Sequence, residues 1–294
     1  LNPGNAYKQL VKSVFRLEKA EFFNNPFFIV SCGRSGSTAL CLALRLHPSL
    51  LVAATEGPSV NSLGELAHDY ALGEYSGYFQ KASRLEPNET RRQLRRLCYT
   101  SIFGLDLGMS YDPRRWRFKE SAYTRGYKIG RWGAKVFPTR KSAQGLRWLY
   151  PGAKFVYIFR NGVDVVHSMS KFGTFAKLDF ASRCRFWSDR AETYAFLQTW
   201  DDVCVIRFED FLDDNASVLK RTCEYLGFPD SRATSEFAST SMIHPLDSPT
   251  EKLNPKETIA ARNSSFEQWT GDERNVFKDI CGGAMKMLGY EIPF

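Results

Sequence analysis

The residues with the densest chemical potential are Ser31-Cys32-Gly33-Arg34-Ser35-Gly36-Ser37-Thr38, where two glycines, an arginine and several hydroxyls share one short loop. An apolar run, Phe27-Phe28-Ile29-Val30, leads into it, and an apolar-periodic stretch, Ala39 to Leu46, leads out. Strand, tight turn and helix N-terminus together make an anion site. The unpaired amides of a first helical turn point outward, and the helix dipole adds positive potential there. Gly33 and Gly36 let the backbone curl close to an oxyanion, and Arg34 offers a forked cationic donor. An ordinary βα turn is the bland alternative, and it does not explain this composition. A second loop of the same kind is Arg160-Asn161-Gly162-Val163-Asp164-Val165-Val166-His167-Ser168, which follows the apolar run Phe155–Phe159. Arg160 stands at the strand end and Ser168 about two turns into the helix that follows.

A loop that grips a nucleoside triphosphate needs G-x-x-x-x-G-K-[ST], with the lysine reaching the β- and γ-phosphates. No lysine lies between Cys32 and Arg45. The loop therefore suits an anionic donor other than a triphosphate.

At 294 residues, with 43% hydrophobic and 24% charged residues, the chain has the composition of an ordinary globular protein able to bury a sizeable core. No apolar run approaches the ~20 residues of a membrane helix. The net charge of +8 favours an anionic partner. The densest basic cluster, Arg91, Arg92, Arg95 and Arg96, fits the polar side of an amphipathic helix and reads first as a solvated face. Seven scattered cysteines with no CxxC pair exclude a zinc site and a disulfide framework, and predict a reducing, cytoplasmic setting. The sequons at Asn88, Asn215 and Asn263, and a leader or anchor removed from a lumenal domain, keep the alternative open.

Along the chain, Leu50 to Ala54 reads as a second strand ending in the turn-rich Thr55-Glu56-Gly57-Pro58-Ser59, which puts Glu56 at a strand's carboxyl end. Residues 60–130 read as a helical insertion that frames the site. Ala134–Phe137, Phe155–Phe159 and Val203–Ile206 read as strands; Leu178–Thr199, Phe211–Leu226 and Asp272–Leu288 read as helices. His47-Pro48 is a helix stop with His47 as the cap, and proline-rich 229–268 reads as a flap. Strands alternating with helices predict an α/β fold, a mostly parallel sheet with helices on both faces. The expected organisation is one domain over 1–294: the first loop and a base in 27–59, the insertion in 60–130, the second half of the sheet in 131–228, and a flap with a closing helix in 229–294.

The lysine-free loop paired with the strand–Arg160–Ser168 motif resembles the signature of sulfotransferases that use 3′-phosphoadenosine 5′-phosphosulfate (PAPS). The likeness runs from Phe27 to Tyr290 and is nearer to the tyrosylprotein and bacterial branches than to the cytosolic steroid and phenol enzymes. Val205-Ile206-Arg207-Phe208-Glu209-Asp210-Phe211 is similar to the family's strand and acidic turn, with Phe208 where a tyrosine is common. Arg262-Asn263-Ser264-Ser265 ahead of Trp269 resembles the segment that closes over the nucleotide. The resemblance implies a P-loop NTPase-like fold, PAPS as cofactor with adenosine 3′,5′-bisphosphate as product, and no metal.

It implies roles residue by residue. Arg34, Ser35, Gly36, Ser37 and Thr38 would hold the 5′-phosphosulfate, and Arg160, Ser168 and Arg262 the 3′-phosphate. Glu56 would be the general base, Lys135 would neutralise the bridging oxygen, and Arg34 would stabilise the transferring sulfonate. Lys135 lies inside the apolar run Ala134–Phe137, where an idle charge is costly. Glu65 and His68 form a runner-up acid/base pair, read more simply as an exposed pair; His167 adjoins the nucleotide site, and His244 has no assigned role. The acceptor is left open among small molecules, peptides and glycans, with O- or N-sulfation, and nucleic acid is not expected. The oligomeric state is also open. The competing readings are a small-molecule kinase or nucleotide hydrolase with a degenerate loop, and a polyanion-binding, non-catalytic relative.

Overall fold

The computed structural model describes residues 24–82, 86–99, 101–102, 130–228, 234 and 266–292. In chain order the elements are β1 (Phe27–Ser31), α1 (Ser37–Leu44), β2 (Leu50–Glu56), α2 (Pro58–Ala71), α3 (Ser76–Ala82), α4 (Pro87–Tyr99), β3 (Arg131–Val136) and α5 (Arg140–Leu149). There follow β4 (Lys154–Phe159), α6 (Gly162–Ser170), α7 (Phe180–Leu197), β5 (Val203–Arg207), α8 (Phe208–Asp213), α9 (Asn215–Leu226) and α10 (Gly271–Met287). Most of the expected flap and the stretch 103–129 of the expected insertion lie outside the described residues.

The strands form one parallel sheet in the order β2-β3-β1-β4-β5, flanked by helices, so the fold is α/β. Central β1 is buried at every position, which is why it reads as an unbroken apolar run; a strand covered on both faces has no polar side to show. Edge strand β5 instead alternates between half-buried and buried residues.

The chain divides into two compact units, with β1 beginning in the first and continuing into the second. In the first, β2 and β3 pair in parallel as Leu50↔Arg131, Leu51↔Trp132 and Val52↔Gly133, slip, and resume as Glu56↔Lys135. Such a slip is a bulge, and it re-aims the residues beyond it. The strand thus runs through Glu56 instead of ending at Ala54, and the turn is compressed into Gly57, whose N–H donates to the Lys135 carbonyl at 3.1 Å. Pro58 then opens α2, where its missing N–H is harmless.

Trp132 centres this unit's core, with Phe28, Tyr99 and Tyr150 set edge-on at 5.6–5.9 Å. The arginine side of α4 is not merely solvated. Arg95 lies over Tyr150, and its Nε donates to the last carbonyl of α5, Leu149. Arg91 covers Trp148. Helices α2 and α5 meet at Gly64 and Gly145, where a Cβ on Gly145 would collide with the Gly64 carbonyl.

In the second unit α7 packs along α10, with the Ser188 hydroxyl donating to the Ile280 carbonyl at 3.1 Å. Tyr157 of β4 stacks on Tyr194 of α7 at 4.5 Å. The single helix expected over Phe211–Leu226 is two, because Asp214 leaves helical geometry (φ −136°) and its carboxylate caps α9 by accepting from the Ser217 N–H. A Thr270/Glu273 capping box starts α10. None of the seven cysteines is in a disulfide, and all are buried. Burial pushes the Cys98 thiol up to about 12, so it stays protonated and unreactive.

Candidate functional site

In the second unit the first loop carries two residues in left-handed geometry, Arg34 (φ 70°) and Gly36 (φ 83°). Arg34 is the one non-glycine residue of positive φ among those described. Gly36 has a second constraint, since any Cβ there would run into the Phe208 ring. It also caps α1 with no side chain, so the first-turn amides have no side-chain cap. The hydroxyls of Ser31 and Ser35 are buried with no hydrogen-bond partner among the described residues. An uncapped helix N-terminus in a loop with unsatisfied hydroxyls and an arginine fits an anion such as a phosphosulfate.

The second loop is built more tightly. Asn161 caps α6, its side chain accepting from the Val163 N–H at 2.9 Å. Arg160 Nε lies 3.3 Å from the buried Asp164 carboxylate, and its guanidinium carbon lies 4.9 Å from the Phe208 ring centroid. No described residue hydrogen-bonds its terminal amino groups. The loop backbone is held from α8: Glu209 accepts from the Asn161 N–H at 3.2 Å and from the Tyr290 hydroxyl at 2.7 Å. Arg207 covers the Tyr290 ring at 4.3 Å. Burial, chiefly, and the Glu209 carboxylate push the Tyr290 phenol far above its ordinary value.

The two loops meet directly. Arg34 Nε donates to the Ser168 hydroxyl at 3.1 Å, and its guanidinium carbon lies 4.0 Å over Phe172. Neighbouring His167 is held below its ordinary 6.5 mainly by burial and then by Lys171, with Arg160 adding to this and Asp164 opposing it. The unfolded chain therefore takes up a proton at higher pH than the folded one. The contribution is fully favourable above 6.5 and is lost as pH falls from that value through the lowered folded one. A melting-temperature series across that window is expected to decline more steeply for the wild type than for His167→Gln.

In the first unit, Glu56 is the last residue of β2 and the register partner of Lys135. Lys135 is only 4% exposed. His47 is not the helix cap, a position Arg45 takes; it is buried with its ring 5.9 Å from Phe228. Glu65 and His68 are half-buried, not an exposed pair. His68 lies 3.5 Å from Asp69, which in turn pairs with Lys141 at 2.7 Å and is thereby held below the usual carboxylate range. Arg262 and His244 lie outside the described residues.

Sequence reading placed Asp164 in the second loop but assigned no loop contact to Phe208, Glu209, Phe172 or Tyr290. The available signal was an aromatic and an acid directly after a buried strand. Among the described residues no cluster of His, Cys, Asp and Glu has a metal-binding arrangement, and no helix is long and apolar enough to cross a membrane.

A five-stranded parallel sheet with two strand–loop–helix turns defines a class of fold, and the comparisons agree with it. Residues 26–232 match the sulfotransferase family, and the chain belongs to that family. No curated protein sequence matches it. Among solved structures, the sulfotransferase domain of the Synechococcus PCC 7002 olefin synthase is similar at TM-score 0.51 and 16% identity, over 92% of this chain and 96% of that one. The sulfotransferase domain from the curacin biosynthetic pathway is similar at 0.50 and 16%, over 92% and 99%. Mouse sulfotransferase SULT7A1, crystallised with PAP, is similar at 0.50 and 12%, over 90% and 84%. At these identities the likeness is one of fold.

Proposed function

We propose that the chain transfers a sulfuryl group from PAPS to a hydroxyl or amine of an acceptor. The observation that carries this is Arg160, tethered by Asp164 and Phe208 with its terminal amino groups unclaimed among the described residues. That is a preorganised cationic fork at a strand end, next to a helix whose Ser168 reaches the first loop. Arg160 and Ser168, with Arg262, hold the 3′-phosphate that separates this donor from ATP. Arg34, Ser35, Gly36, Ser37 and Thr38 surround the 5′-phosphosulfate, largely through backbone amides, since the Ser35 and Ser37 side chains are buried.

PAPS supplies an activated sulfur. Glu56 accepts the acceptor's proton as the new S–O or S–N bond forms, while the old S–O bond breaks and its electron pair stays on the bridging oxygen. Lys135 neutralises that oxygen, and Arg34 stabilises the equatorial oxygens. Most of the rate enhancement comes from positioning and preorganised charge. The reading takes 1–294 as one catalytic domain working in the cytoplasm on a small-molecule, peptide or glycan acceptor.

The test is conversion of PAPS to adenosine 3′,5′-bisphosphate, followed by chromatography across an acceptor panel. Acceptor-dependent product that falls with Lys135→Ala, while bisphosphate binding persists, supports the reading. Turnover of ATP in place of PAPS would replace it with kinase or hydrolase chemistry.

A further inference from the structure

One buried phenol braces the second loop from the turn that follows α10. That turn has two closing hydrogen bonds: the Gly289 N–H donates to the Lys286 carbonyl at 3.1 Å, and the Tyr290 N–H to the Met285 carbonyl at 2.9 Å. Gly289 takes the left-handed geometry such a helix end demands (φ 73°). The turn delivers Tyr290 into the interior, where it is 5% exposed. Helix α10 is itself fixed along α7, by Ser188 and by the Cys281 thiol, which donates to the Cys184 carbonyl at 3.5 Å. The phenol therefore stands on a rigid support.

Tyr290 reaches both flanks of Arg160. On one side the Phe159 ring meets the phenol edge-on, with centroids 5.9 Å apart. On the other, the Tyr290 hydroxyl donates to Glu209 Oε2 at 2.7 Å, and Oε1 of the same carboxylate accepts from the Asn161 N–H at 3.2 Å. That N–H lies in the peptide plane leaving Arg160, so holding it fixes the ψ rotation of Arg160. The Asn161 side chain is pinned as well, by the Val163 N–H it accepts. Arg207 completes the brace, 3.6 Å from Glu209 Oε2 and 4.3 Å over the Tyr290 ring. The terminal torsion of a glutamate is soft; the phenol, which burial keeps protonated, restrains it.

We propose that Tyr290 is a positioning residue for the 3′-phosphate site: through Glu209 and Phe159 it sets the backbone that aims the Arg160 guanidinium, and so contributes to telling a 3′,5′-bisphosphate from a 5′-monophosphate. This rests on the sulfotransferase reading and adds to it the turn after α10 as a support for donor selectivity. By reciprocity, a ligand that occupies the 3′ site tightens that turn.

Tyr290→Phe keeps the ring against Phe159 and Arg207 and removes only the hydroxyl. In calorimetric titrations the bisphosphate-to-AMP affinity ratio should fall about three- to tenfold, the worth of one hydrogen bond, with AMP affinity held. In a Glu209→Ala background the same substitution should change the ratio no further, because the hydroxyl acts through that carboxylate. Hydrogen exchange in the unmodified protein gives an independent reading: the bisphosphate should slow the Gly289 and Tyr290 amides, and AMP should not. If Tyr290→Phe lowers the melting temperature and weakens both ligands equally, the contact is only structural and the proposal is wrong. An unchanged ratio also overturns it. A wild type with no preference for the bisphosphate overturns the underlying reading, and this inference with it.

Discussion

Glu56→Gln is expected to lower kcat by about 10²–10⁴-fold, the usual worth of a positioned general base, and to leave bisphosphate affinity unchanged. Glutamine keeps the size and polarity of the side chain but cannot take the acceptor's proton. The backbone around it is built for a fixed position. The β2–β3 register slips between Val52 and Glu56 and is restored at Glu56↔Lys135, and Gly57 N–H closes onto the Lys135 carbonyl. The base and the lysine of the proposed chemistry are therefore paired across one ladder, so disturbing either backbone moves both. Steady-state kinetics with a saturating acceptor, alongside calorimetry for the bisphosphate, separate the two parameters. A Glu56→Gln enzyme with near wild-type kcat would return this residue to a plain strand-end carboxylate and require another base.

Arg160→Ala is expected to weaken adenosine 3′,5′-bisphosphate by about 10–100-fold, the value of one or two charge-assisted hydrogen bonds, while AMP affinity holds. The substitution also strips Asp164, 6% exposed, of one cationic partner. Some thermal stability should fall with it, since a buried carboxylate that loses its counter-charge is penalised. Arg160→Ala combined with Asp164→Asn separates the effects: stability should recover and affinity should not. Equal loss for both nucleotides would mean that Arg160 reads no 3′-phosphate.

What the sequence disclosed follows from how local each cause is. β1, the first loop and α1 were legible because a fully buried strand leaves a continuous apolar run, and a tight anion turn leaves glycines and hydroxyls in a row. The contacts that shape those loops were not. Phe208 fills the space over Gly36, Glu209 holds the Asn161 amide, and Tyr290 holds Glu209, each from a distant part of the chain. Phe208 stands where the family commonly has a tyrosine, and its ring's observed contacts are with the two loops themselves. Asp214 splits a helix that periodicity read as one, because a cap is a matter of backbone geometry that an apolar pattern does not register. The β2 bulge was equally silent, and with it the register pairing of Glu56 and Lys135.

The most direct measurement is a thermal-shift titration of the protein with adenosine 3′,5′-bisphosphate, ATP and AMP. A ligand that binds only the folded state raises the melting temperature by mass action, about 2.7 kcal/mol at a hundredfold excess over Kd. The account predicts a large upward shift with the bisphosphate, little with AMP, and a much smaller shift with the bisphosphate in Arg160→Ala at the same concentration. ATP stabilising the protein as well as the bisphosphate does would contradict it.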